Sequence, residues 1–176
     1  RSGIDPAQIE DVILGNTQQT KEQGLNVARN VALMAGLNVE TGGATINRLC
    51  GSSLQALNQA SHAIVAGGEN VQIVGGLEHM QHIPMDFGLD LNPKMFKRTS
   101  KGALMMGVTA EFLAQTQGIS RDEQDEFALR SHQLAHNSHE TGKFDNEIIP
   151  VYGRDEQGDR ILVKRDQCIR YAENTD

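Results

Sequence analysis

No apolar run in the chain approaches the ~18 uninterrupted residues that span a bilayer, which excludes a transmembrane helix. The opening Arg1-Ser2-Gly3-Ile4-Asp5-Pro6 has no apolar core and so is not a secretory leader; it also lacks an initiator Met, which points to a natural start further upstream. Cysteine is scarce. Cys50 and Cys168 form at most one bridge, too few for a disulfide framework, and the expected compartment is the reducing cytoplasm. Positive charge is in deficit: 16 Lys and Arg against 23 Asp and Glu leave a net charge of −7, which gives no support to a nucleic-acid or anionic-membrane partner. The glycines form neither G-x-G-x-x-G nor a P-loop, so a bound nucleotide cofactor is not indicated. Internal repeats and low-complexity segments are absent as well.

What remains is an ordinary globular composition, 38% hydrophobic and 22% charged over 176 residues. Asp5-Pro6 leads through a short helix into a β-branched strand, Asp11 to Gly15. Val27, Val31 and Met34 mark a helix between Gly24 and Gly36, with Gly36 at the C-cap. Ala44-Thr45-Ile46 reads as a strand, Leu54 to Val65 as a helix ending at Gly67-Gly68, and Val71 to Val74 as a strand closed by Gly75-Gly76. Alternating strands and helices predict an α/β sheet covered by helices. After about Glu78 the pattern changes. Pro84 to Lys101 shows no clean periodicity, Gly107 to Gln117 reads as a helix stopped by Gly118, and Ser120-Arg121-Asp122-Glu123 is a capping box opening another. Glu147 to Val151 reads as a strand or an extended piece and Ile161 to Val163 as a strand, with a turn at Gln157-Gly158-Asp159. The expected division is therefore 1–77, a sheet-and-helix core, and 78–176, an insertion-like cap. Three strands are few for a freestanding sheet, so the core is expected to be incomplete.

The segment Asn47-Arg48-Leu49-Cys50-Gly51-Ser52-Ser53 puts a thiol at a strand-to-helix junction. Helix N-termini carry unsatisfied N–H groups and a partial positive charge, which favour thiolate over thiol and can stabilise an oxyanion. Gly51 allows a ligand close to the backbone. A thiolate is both nucleophile and leaving group, as an acyl carrier requires. Free cysteine is also among the most buried residue types, so a core role for Cys50 stays open on position alone.

The stretch from Asn47 to Leu57, Asn-Arg-Leu-Cys-Gly-Ser-Ser-Leu-Gln-Ala-Leu, resembles the nucleophile motif of thiolases. Gly15-Asn16-Thr17-Gln18-Gln19, Asn26-Val27-Ala28-Arg29-Asn30, Gly75 to Met80, Met106-Gly107-Val108-Thr109-Ala110-Glu111, Ser120 to Asp125 and Asn146 to Pro150 resemble further family segments. The likeness runs from about Asp11 to Asp176 and is nearest the degradative branch found in bacterial fatty-acid oxidation complexes; Met105, where the biosynthetic branch has His, agrees. It implies a layered α-β-α-β-α fold, of which 1–77 is an incomplete N-terminal core half and 78–176 an incomplete loop domain. It implies CoA-dependent thiolytic cleavage of a 3-ketoacyl-CoA through an acyl thioester on Cys50, the last step of β-oxidation, by an acetyl-CoA C-acyltransferase. The N–H of Cys50 would serve the oxyanion hole and Met106 would line the substrate pocket, although Met also fills core space. CoA is a co-substrate, and no metal or prosthetic group is implied. The implied partners are a second copy, as a homodimer, and a multifunctional hydratase/dehydrogenase subunit. The family's Asn-Glu-Ala-Phe and Gly-His-Pro motifs and its second catalytic cysteine do not occur here, so this stretch alone is expected to be inactive. Cys168 falls where the family has no catalytic cysteine and reads as structural.

Two alternatives stay open: a condensing enzyme such as a ketoacyl synthase, and a non-catalytic acyl-CoA-binding or assembly module. Three other signals read first as surface chemistry. His79-x-x-His82 is half a metal site with no third ligand at plausible spacing. His132, His136 and His139 share a helix face. Lys94, Lys97, Arg98 and Lys101 form a basic run that suits either CoA phosphates or a solvated loop.

Overall fold

The computed structural model describes residues 2–170; the end of the expected loop domain, 171–176, lies outside the described residues. Two compact units divide the chain between Leu91 and Asn92. Residues 78–91, which the change of pattern assigned to the second part, pack with the first. The reason is side-chain anchorage: Ile83 is buried, and Glu78 and the backbone of His79 hydrogen-bond to residues 16–23.

In the first unit a 3-10 turn, Pro6–Gln8, capped by Asp5, delivers the chain into β1 (Asp11–Gly15). A second 3-10 turn, Lys21–Gln23, precedes α1 (Val27–Met34). This helix starts later than the expected Gly24, because Leu25 sits at φ +58 and the Asn26 side chain caps Arg29 N–H. At its far end Gly36 takes φ +79, as the expected C-cap requires. Then come β2 (Ala44–Ile46), α2 (Ser52–Val65) and β3 (Gln72–Gly76). Gly75 and Gly76 do not close β3 but belong to it, since they pair with Leu14 and Gly15.

The sheet runs β2-β1-β3, all parallel. Its side chains alternate between two helices. Val12 and Leu14 join Ile9, Ala28 and Ala32 on the α1 side; Ile13 joins Ala56 and Ala60 on the α2 side. The contact face of α2 is Ser52, Ala56 and Ala60, a small-residue row at a spacing of four that brings the helix close to the strands. Leu54, Leu57, Ile64 and Val65, elsewhere on that helix, are exposed. Three strands with β2 and β3 as edges, and apolar residues uncovered on α2, are what an incomplete core predicts.

The second unit holds a 3-10 turn (Pro93–Lys97), α3 (Met106–Gln117), α4 (Arg121–Glu140) and an antiparallel hairpin of β4 (Val151–Arg154) and β5 (Arg160–Val163). Gly118 ends α3 at φ +68, and the capping box of α4 is complete: Ser120 Oγ accepts from Glu123 N–H, and Glu123 Oε2 accepts from Ser120 N–H. The strand expected over Glu147 to Val151 begins only at Val151. The N–H groups of Glu147 and Ile148 turn back to Phe144 O, and Pro150 has no N–H to offer a ladder. Among the described residues no helix is long and apolar enough to cross a membrane.

Candidate active site

Parallel strands deliver their carboxyl ends to one edge of a sheet, where ligands of such folds bind. Here β1 and β3 end side by side at Gly15 and Gly76, and the N-terminus of α2 descends onto them. Both glycines are required by that descent. A Cβ on Gly15 would lie 2.5 Å from Ser53 N and 2.6 Å from Ser52 C; one on Gly76 would overlap Ser53 Oγ. The sequence alone reads Gly15 as the last residue of a strand and Gly76 as part of a strand stop. Their reason is the close helix.

The turn from β2 into α2 is tightly bonded. Ser52, buried beneath it, accepts from Arg48 N–H at 2.8 Å and donates to Leu49 O at 2.6 Å. Gly51 N–H donates to Arg48 O, and Ser52 N–H to Leu49 O. Leu49 takes φ +49, a conformation a branched side chain rarely adopts. The strained residue lies next to Cys50, and Gly51 is the N-cap that follows. None of the turn's bonds draws on the N–H of Cys50. Cys50 is exposed in this chain and lines a cavity of about 450 Å³.

The cavity walls are the strand ends Gly15 to Gln18 and Gly76 to Glu78, the α2 turn, and Met80, Ile83 and Met85. Two of its polar wall residues, Asn16 and Glu78, were not singled out by the residue patterns. Asn16, 1% exposed, donates through Nδ2 to Leu77 O at 2.9 Å, while its Oδ1 is buried without a partner. Glu78 accepts from Thr17 N–H at 2.8 Å, Thr17 Oγ1 at 2.5 Å and Gln23 Nε2 at 3.0 Å. Burial raises its pKa, and the hydrogen bonds from Thr17, Gln23 and Gln18 outweigh that, so its carboxyl sits below the usual glutamate value. Glu78 is therefore an anionic brace between two strand ends. The available signal was positional: Asn16 follows directly on the end of β1, and Glu78 stands two residues past the end of β3.

The other expected site residues lie elsewhere. Met106 opens α3 in the second unit and is exposed. Lys97, Arg98 and Lys101 line an open hollow of about 630 Å³ beside the Pro93–Lys97 turn, with Lys101 Nζ 5.6 Å from the Phe96 ring. His132 Nδ1 accepts from Arg170 N–H, and His139 packs on Phe144. Cys168 is exposed, and neither cysteine is bridged. No histidine lines the Cys50 cavity.

The first unit is thus a three-layer α/β arrangement with an exposed thiol beside a helix N-terminus, on the carboxyl edge of a parallel sheet. The model of the thiolase N-terminal domain matches residues 1–176, and the chain belongs to the thiolase family. It is 51% identical over 161 residues to the 3-ketoacyl-CoA thiolase of Alcanivorax borkumensis, covering 92% of this chain and 41% of that protein. With the 3-ketoacyl-CoA thiolase of Vibrio vulnificus strain CMCP6 it shares 50% over 167 residues, 95% of this chain and 43% of the other. The crystal structure of the Bacillus anthracis acetyl-CoA acetyltransferase superposes with a TM-score of 0.78 at 33% identity, covering 97% of this chain and 46% of that one. The fold is thus the thiolase fold in its N-terminal part, and the chain spans about two-fifths of the length of the curated relatives it matches.

Proposed function

We propose that the protein containing this chain is an acetyl-CoA C-acyltransferase, cleaving 3-ketoacyl-CoA in the final step of fatty-acid β-oxidation, and that Cys50 is its acyl-accepting residue. The observation that carries this reading is the exposed Cys50 thiol at the start of α2, opening into the cavity at the strand ends. Its kinship with proteins named 3-ketoacyl-CoA thiolase supplies the substrate class.

The reaction runs in two steps. Cys50 Sγ attacks the 3-keto carbon, and the developing oxyanion takes a hydrogen bond from the N–H of Cys50. The bond between C2 and C3 breaks, its electron pair stays with the acetyl-CoA fragment, and a proton completes acetyl-CoA. The thiol of free CoA then attacks the thioester on Cys50, which releases the shortened acyl-CoA and restores the cysteine. CoA is a co-substrate, and the thiols carry the chemistry without a resident cofactor. The first unit belongs to the N-terminal core half and the second to the loop domain, with Met106 lining the acyl-pantetheine pocket and the basic run at Lys94, Lys97, Arg98 and Lys101 meeting the CoA phosphates. The protein works in the cytoplasm as a homodimer, alongside a hydratase/dehydrogenase subunit.

Incubating the intact protein with an acyl-CoA, quenching in acid and mapping the peptides tests the reading. A mass increment on the peptide bearing Cys50, absent in Cys50→Ser, is the expected result. Label on Cys168 with Cys50 unmodified overturns it.

A further inference from the structure

Three metal-ligating side chains meet, two of them next in sequence to Glu78, Met80 and Ile83 of the Cys50 cavity wall. Glu22 comes from the Lys21–Gln23 turn, and His79 and His82 come from the loop after β3. Glu22 Oε1 lies 2.5 Å from His82 Nδ1 and 3.6 Å from His79 Nε2, and one ligand atom from each residue falls within 4.8 Å of the other two. The spacing His79-x-x-His82 offers only half a site in sequence. The third group stands far upstream and reaches the pair through the fold.

The frame that presents these side chains is fixed from beneath. Gln23, buried, accepts from His79 N–H at 2.6 Å and donates to Gln18 O at 2.9 Å and Glu78 Oε1 at 3.0 Å. Ile83, also buried, donates its N–H to His79 O, and Lys21 Nζ donates to His82 O. The backbones of both segments are therefore held, while the three ligand side chains are 41–58% exposed and free to adjust.

We infer that Glu22, His79 and His82 form a binding site for a divalent d-block cation of the zinc type. Two imidazole nitrogens and one carboxylate oxygen are borderline donors, suited to Zn²⁺ and Co²⁺; Mg²⁺ and Ca²⁺ call for all-oxygen sets. Tetrahedral bonds of about 2.0–2.1 Å put neighbouring ligand atoms about 3.3 Å apart. The Glu22–His79 pair, at 3.6 Å, needs to close by only about 0.3 Å. The Glu22–His82 pair exchanges its hydrogen bond for the metal by opening about 0.8 Å, which a rotation of exposed side chains supplies. Water completes the coordination. His79 and His82 flank Met80 and precede Ile83 and Met85, so the cation ties the wall of the Cys50 cavity to the Lys21–Gln23 turn. Its role is to hold that wall, and the inference stands apart from the reaction assigned to Cys50.

Titration of the intact protein with Co²⁺ tests it. The expected result is one Co²⁺ per chain with visible d–d absorption, no thiolate-to-cobalt charge-transfer band, and displacement by Zn²⁺ but not by Mg²⁺. Glu22→Gln and His82→Gln each weaken binding by at least about 100-fold, beyond what outer-shell changes cause, with unchanged circular dichroism. Amide exchange over residues 77–85 slows on adding Zn²⁺ to the wild type and not to the variants. Absence of saturable binding, a charge-transfer band marking a cysteine site, or affinity unaltered in both variants overturns the inference.

Discussion

Gly15→Ala probes the contact on which the site depends. The added Cβ would meet Ser53 N at 2.5 Å, Ser52 C at 2.6 Å and Ser52 Cβ at 2.7 Å, and the first two are backbone atoms that cannot rotate away. Restoring ordinary contact near 3.5 Å requires the start of α2 to lift by about 1 Å. Overpacking of this kind costs about 1–3 kcal/mol. A more restricted unfolded chain returns about 0.4–1 kcal/mol, because Gly15 does not use a positive φ. The net expectation is a loss of about 1–2 kcal/mol, read as a lower midpoint at unchanged slope in urea unfolding. Because Cys50 and Gly51 ride on the same turn, a displacement of about 1 Å also lowers kcat/KM of the intact enzyme by about 100-fold. Gly107→Ala is the control. It lies in α3 with nothing within 4 Å of the new Cβ, and it gains about 0.5–1 kcal/mol. If Gly15→Ala unfolds within 0.5 kcal/mol of wild type and its Cys50 alkylates at the wild-type rate, the close approach does not hold the site and the reasoning fails.

Ser120→Ala removes the hydroxyl that accepts from Glu123 N–H and should cost about 1 kcal/mol, seen as a lower melting temperature; Ser120→Asp should recover most of it. Glu78 sets an acid limit on the cavity wall. Its carboxyl is depressed in the folded state, so its stabilisation is complete above the ordinary glutamate value and is lost as pH falls through the lower, folded one. Amide exchange at Thr17 and Gln18, corrected for intrinsic rates, should therefore accelerate at acid pH in the wild type; a Glu78→Gln variant with the same acid profile would remove Glu78 as the cause.

The parts legible in the sequence are those decided within a few residues. The Ser120 capping box and the β-branched run of β1 name their own structure because the stabilising partners are local. The placement of Cys50 between a strand and a helix start was legible for the same reason: strand, turn and helix start lie together in one short stretch. The parts that escaped are decided by neighbours distant in the chain. Gly75 and Gly76 read as a strand stop but extend β3, because β1 offers them partners from residues 14 and 15. Residues 78–91 have no periodicity of their own, yet join the first unit through Glu78, His79 and Ile83, whose partners follow β1 or come from their own loop. The Glu22–His79–His82 cluster is the extreme case, since no spacing rule links a residue before α1 to a loop after β3. What joins them is that β1 and β3 are adjacent parallel strands, so the segments leaving their carboxyl ends emerge side by side. The same adjacency brings Asn16 to Leu77 and Thr17 to Glu78. The cavity wall and the metal-ligand cluster are therefore two consequences of one strand pairing. A change that shifts β3 against β1 should disturb both, whereas a change confined to the imidazoles should disturb only the second.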